Sequence, residues 1–121
     1  FVLQAVFEAQ PAPAEEMERL LAAARAKRKL TQPVGASAGC IFKNPEEIPA
    51  GRLIDELGLK NACVGDACVS DVHANFIINR GHARARDITI LIDMIRKEAM
   101  ENRGIDLKSE AQVIGDREPQ F

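Results

Sequence analysis

Among the groups that could do chemistry here, the thiol of Cys40 is the most reactive in a chain of 121 residues with three cysteines and two histidines. It lies in the run Gly35-Ala36-Ser37-Ala38-Gly39-Cys40-Ile41-Phe42-Lys43-Asn44-Pro45. Gly39 would let a second molecule approach the backbone just before a strand begins. Lys43 and Asn44 then place a cation and an amide close by. A thiol with the ordinary pKa of about 8.5 is protonated at neutral pH and can give its proton to a substrate. Packing explains the same residue as well, because a free cysteine also behaves as a small apolar side chain.

Three further polar residues stand out. His73 and Asn75 precede a short apolar stretch, and Glu110 precedes another. Each has a plain structural reading, as a hydrogen-bonded turn residue or a solvated carboxylate. Cys40 with His73 also supplies the residue types of a cysteine-nucleophile hydrolase, although no third residue is identifiable to orient the base. Cys63 and Cys68 are too far apart for a CxxC pair, and no second Cys/His pair completes a tetrahedral zinc site. The expectation is therefore no metal. An odd cysteine count without a secretory signal also argues against a disulfide framework. Cys63 and Cys68 then read as small residues flanking a strand.

The elements that must position these groups follow from pattern. Residues 1–7 are apolar and β-prone and read as a strand buried on both faces. Gln10-Pro11-Ala12-Pro13 breaks the chain. A helix over 14–29 places Glu15 and Glu16 in its first turn and Arg25, Lys27, Arg28 and Lys29 at its end, matching the helix dipole. The basic cluster is a solvated helix end or a phosphate contact. Met17, Leu20, Leu21 and Ala24 form a stripe that should dock. Residues 31–39 read as loop and 39–43 as a strand stopped by Asn44-Pro45. A short helix over 50–57 ends at Gly58, a good left-handed cap. Strands are expected at 64–69, 76–79 and 111–114. A helix over 85–103 repeats Ile88, Leu91, Ile92, Ile95 and Ala99 at helical spacing and stops at Gly104. Without strict βαβ alternation, this is an α+β domain, helices packed on a small mixed or antiparallel sheet.

Composition narrows the partners. Net charge is −2 with both signs mixed along the chain, and Trp and Tyr are absent, which speaks against a nucleic-acid surface. No apolar run approaches the roughly 20 residues that cross a bilayer. A cytoplasmic location is expected. The start lacks an initiator Met, so the chain reads as a piece of a longer protein.

Four motifs in succession resemble the UDP-N-acetylenolpyruvoylglucosamine reductases. Thr31-Gln32-Pro33 leads into Ser37-Ala38-Gly39-Cys40-Ile41-Phe42-Lys43-Asn44-Pro45, similar to that family's signature segment. Ala50-Gly51-Arg52-Leu53-Ile54-Asp55 is similar to the helix that follows it. Ser70-Asp71-Val72-His73-Ala74-Asn75-Phe76-Ile77-Ile78-Asn79 and Glu110-Ala111-Gln112-Val113-Ile114-Gly115 match the remaining two. The order of the four is more specific than any one of them.

The resemblance implies the substrate-binding, C-terminal domain of an FAD- and NADPH-dependent oxidoreductase that makes UDP-N-acetylmuramate for peptidoglycan. Residues 1–30 would be the last strand of a missing flavin domain plus a linker helix, and 31–121 the substrate-binding domain. In the implied reaction, reduced flavin gives hydride to the enolpyruvyl group of UDP-N-acetylglucosamine enolpyruvate. Cys40, where the family usually carries serine, would return a proton, and Glu110 would sit at the second catalytic position. Asn44 matches a diphosphate contact and His73 a polar substrate contact, with Lys43 and Asn75 as neighbours. No flavin is expected on this chain by itself, and it should be inactive alone. The competing reading is a non-catalytic nucleotide-sugar-binding or interaction module that keeps the fold.

Overall fold

The computed structural model of the protein describes residues 2–114. The longest apolar pattern gives the best-defined element. Helix α3, Ala85–Arg103, buries Leu91, Ile92, Ile95 and Ala99 along one stripe. It starts where the Asp87 carboxylate accepts the Arg84 backbone N–H at 2.9 Å. It ends at Gly104, whose φ of +65° is reached cheaply only by glycine. Helix α1 runs Ala14–Thr31 and α2 runs Ala50–Glu56.

Strands β1 (Ala36–Cys40), β2 (Cys63–Val64), β3 (Ala67–Val69) and β4 (Phe76–Asn79) make one antiparallel sheet in the order β1-β4-β3-β2. Helix α3 packs on β2 and β3, and α2 packs on α3. Leu53 and Ile54 of α2 meet the α3 stripe, and Ile41, Phe42, Val69 and Leu107 fill the space between. Each such side chain contributes about 1.5–3 kcal/mol when fully buried. Leu91 is 0% exposed, so truncation to alanine there would cost about 2–5 kcal/mol. The α+β class read from the sequence is what the protein adopts.

Several elements differ from the sequence reading. The strand expected over 39–43 lies earlier, at Ala36–Cys40, because a bulge displaces the pairing. Ser37 pairs with Ile78 and Cys40 with Phe76, so Ala38 and Gly39 together oppose Ile77. Gly39 takes φ +81° there. A strand is interrupted in this way when one partner carries an extra residue. The single strand expected over 64–69 is a hairpin instead, turning at Gly65-Asp66. Residues 111–114 form no strand; the chain there is tied back by the Phe42–Ser109 bridge and by the Glu110 N–H to Ile41 carbonyl bond of 2.7 Å.

The hairpin also corrects the reading of the cysteines. Its register sets Cys63 directly opposite Cys68, with Cα atoms 4.1 Å apart, and the two sulfurs are bonded. Counting cysteines missed this because the spacing becomes a cross-strand pair only once the turn is recognised.

At the N-terminus, Val2, Leu3, Val6 and Phe7 lie outside any strand and are exposed, so this stretch is not buried on both faces as its composition suggested. Phe1 and the Gly115 of the last motif lie outside the described residues. The stripe on α1 does not dock: the helix has no buried residue, and Met17, Leu20 and Leu21 are about half exposed.

Candidate functional site

The bulge delivers Cys40 to the end of β1, where the chain leaves the sheet. Directly after it, Ile41 and Phe42 turn inward and anchor the segment. Phe42 is held by buried Asn75, whose Oδ1 accepts the Phe42 N–H at 2.9 Å while its Nδ2 donates to the Phe42 carbonyl at 2.8 Å. One carboxamide thus does for Phe42 what a neighbouring strand would.

Asn75 is itself placed by a closed turn. Ser70, only 3% exposed, accepts the backbone N–H groups of Val72 and His73 with its Oγ at 3.1 and 3.2 Å. The Ser70 N–H in turn donates to the Phe76 carbonyl, and the Phe76 N–H to the His73 carbonyl. His73 therefore faces back toward α2, and its ring meets Phe76 edge-on, centroids 5.0 Å apart.

Between the end of β1, this turn and α2 lies a cleft of about 320 Å³, lined by Cys40, Asn44, His73 and Asn75 among others. Small-molecule sites start at about that volume. Asn44 spends its Oδ1 on the Ala50 N–H at the start of α2, at 3.0 Å. Its side chain is otherwise exposed beside the cleft.

Glu110 comes from the far end of the chain. Its backbone bond to the Ile41 carbonyl holds it next to the Cys40 segment, although it does not line the cleft. Cys40 keeps solvent access, yet partial desolvation raises its thiol pKa, the Glu110 carboxylate adds to the rise, and the Asn75 carboxamide offsets part of it. Like-charge repulsion of this kind favours the protonated thiol. The pair is therefore built to hold a proton at Sγ.

That direction is the opposite of what a cysteine nucleophile needs. His73 is also unsuited to the role of base, because its Nδ1 already accepts the Asn75 N–H at 3.2 Å. A neutral imidazole has one lone-pair nitrogen. The hydrolase arrangement of Cys40 with His73 is not assembled.

Lys43 stays out of the cleft. Its backbone pairs with Lys108, and its side chain is exposed. The basic cluster of α1 lies outside as well, with Arg28 turned to Gln32 at 3.4 Å. The cations that do line the cleft are Arg52 and Lys60, together with Asp55, and none of these was singled out in the sequence. Lys60 pairs with Asp55 at 2.7 Å, and Arg52 with Glu56 at 2.8 Å. The signal was present in the Gly51-Arg52-Leu53-Ile54-Asp55 pattern, where Leu53 and Ile54 face the core and so leave Arg52 and Asp55 for the other side. Among the described residues no cluster of three His, Cys, Asp or Glu could hold a metal ion, and no helix is long and apolar enough to cross a membrane.

Comparison with known proteins converges on one family. Residues 29–114 match the family model for the C-terminal domain of UDP-N-acetylenolpyruvoylglucosamine reductase. Curated relatives of that name include one from Syntrophobacter fumaroxidans, 44% identical over 114 residues, covering 93% of this chain and 33% of the relative. Another, from a Synechococcus species, is 45% identical over 121 residues, covering 98% of this chain and 39% of the relative. The crystal structure of the Thermus caldophilus reductase superposes with a TM-score of 0.74 at 45% identity, covering 85% of this chain and 36% of that one. The chain thus spans little more than a third of the length of the proteins it matches.

Proposed function

The chain belongs to the UDP-N-acetylenolpyruvoylglucosamine reductase family as its C-terminal domain, and on that premise we propose that it binds UDP-N-acetylglucosamine enolpyruvate and protonates it at Cys40. The observation that carries the reading is the placement of Cys40 in the cleft lining, with Glu110 tied to the adjoining Ile41 carbonyl; partial desolvation and then the Glu110 carboxylate raise the thiol pKa. The remainder of a cytoplasmic, NADPH-dependent flavoenzyme of peptidoglycan synthesis would complete the site.

The flavin implied by the family does not fit these residues. A cleft of about 320 Å³, walled by Cys40, Asn44 and the Asn75 turn, suits part of a sugar nucleotide rather than a whole dinucleotide. No step is assigned to flavin on this chain. FAD, NADPH and the hydride they supply would come from the remainder of the enzyme, with α1 as a linker helix.

What these residues do is positional and acid–base. Asn44 and His73 hold polar groups of the substrate, and Asn75 fixes the floor beneath them. Once hydride has been added to the enolpyruvyl double bond, Cys40 would give its Sγ proton to the carbon of the resulting enolate, whose electron pair forms the C–H bond, and the thiolate would recover a proton from solvent. Glu110 keeps the donor loaded between turnovers and stabilises a protonated, enol-like carboxyl group on the substrate. Lys43 acts from outside as a long-range cation.

Titration of the chain with UDP-N-acetylglucosamine enolpyruvate, followed by backbone amide shifts, tests this. Shifts confined to residues 40–60, 70–76 and the neighbourhood of Glu110 are expected. A titration that leaves those amides unmoved while the protein stays folded would overturn the reading.

A further inference from the structure

We infer that Gly51 and the backbone of Asn75 hold His73 in a single tautomer, with its Nε2–H presented to the cleft as a donor for an anionic oxygen of the ligand. The inference rests on the proposed function for the identity of that ligand, and on geometry for everything else.

Two contacts fix the ring. Its Nδ1 accepts the Asn75 N–H at 3.2 Å, so the proton of the neutral imidazole resides on Nε2. On the other side the ring lies against the backbone of α2. A Cβ added at Gly51 would stand 2.8 Å from His73 Cε1 and 3.2 Å from Nδ1, nearer than carbon atoms approach. Gly51 has ordinary helical backbone, so an added Cβ would meet no conformational penalty but would push against the His73 ring, which would have to shift.

The Nε2–H has no partner among the described residues, and no side-chain nitrogen or oxygen there is both buried and unpaired. It is therefore open, at the wall of the cleft that His73 lines. A donor fixed on both sides and left without an acceptor is arranged for a ligand oxygen. Arg52 and Lys60 line the same cleft, each paired with a carboxylate, Glu56 and Asp55 respectively. Gly51 is a positioning residue that acts through His73.

Nitrogen chemical shifts of the His73 ring in the ligand-free protein test the arrangement first. Nε2–H is expected to be the dominant tautomer of the neutral ring. A dominant Nδ1–H form, or averaging between the two, would overturn it. In the full-length enzyme, Gly51→Ala should free the tautomer and raise KM for the enolpyruvyl substrate about tenfold or more, as expected for losing a hydrogen bond to a charged oxygen, with kcat changed less. An unchanged KM in a folded Gly51→Ala protein would equally overturn it. His73→Gln keeps a donor without the tautomer and should recover part of the KM lost in His73→Ala; equal KM values in the two variants count against a donor role. Failure of the functional reading looks different: the wild-type enzyme would not turn over that substrate, while the ring shifts would still report the tautomer.

Discussion

Asn75 and Phe42 are joined by two hydrogen bonds, N–H to Oδ1 at 2.9 Å and Nδ2 to carbonyl at 2.8 Å, across 33 positions of sequence. Both residues are buried, so neither backbone group of Phe42 can turn to water instead. This pair sets the distance between the Cys40 end of β1 and the His73 turn.

Asn75→Ala should accordingly lower stability by about 2–6 kcal/mol, since two buried backbone groups lose their partner at roughly 1–3 kcal/mol each. Chemical denaturation measures it. A loss under about 0.5 kcal/mol, the range of ordinary surface changes, would mean that the segment finds other partners.

The Cys40 thiol is raised by burial first and by Glu110 second. Glu110→Gln removes the second cause, so the thiol pKa should fall and alkylation of Cys40 at fixed neutral pH should speed up. In the enzyme, substrate reduction should fall off as pH climbs through the raised thiol pKa, and the variant should show that fall at lower pH. A fall moved to higher pH would contradict the arrangement.

Gly39 carries φ +81° at the β1 bulge, and a Cβ there meets nothing within 4 Å. Gly39→Ala should therefore cost only the backbone penalty, about 1–2 kcal/mol. If the variant relieves that penalty by regularising the strand, Cys40 turns away and its alkylation rate changes. A melting temperature and an alkylation rate both equal to wild type would show the bulge to be unimportant.

The hairpin bond between Cys63 and Cys68 leaves Cys40 as the free cysteine. Thiol counting on the denatured, unreduced protein should give one. Reduction should cost roughly 2 kcal/mol, the chain-entropy value for so short a loop. Three free thiols in protein purified under air would contradict the bridge.

How much was legible in the sequence depended on whether a pattern was local. The α3 stripe ending at Gly104 and the β4 run Phe76–Asn79 are local, and both lie where periodicity placed them. The β1 bulge and the Gly65-Asp66 turn are not, because each is defined by which residue sits opposite on another strand. The same limit hid the Cys63–Cys68 bond. For α1, amphipathicity was real, but Met17, Leu20 and Leu21 find no surface to cover among the described residues. In the site, motif resemblance led to Cys40, Asn44, His73 and Asn75, which the fold gathers at one cleft. Arg52 and Lys60 were passed over because cations in exposed positions are common, and only the cleft distinguishes them.

The central claim is that Cys40 is the proton donor, and rapid mixing of the full-length enzyme tests it most directly. On the proposed reading, reduction of the flavin by NADPH needs no proton from residue 40 and should proceed normally in Cys40→Ala. Reoxidation by UDP-N-acetylglucosamine enolpyruvate should slow by roughly 100-fold or more, the usual contribution of a positioned general acid. Cys40→Ser, which keeps a protonated donor in place, should retain much of the rate. Rapid reoxidation of the alanine variant would contradict the account and move the donor elsewhere.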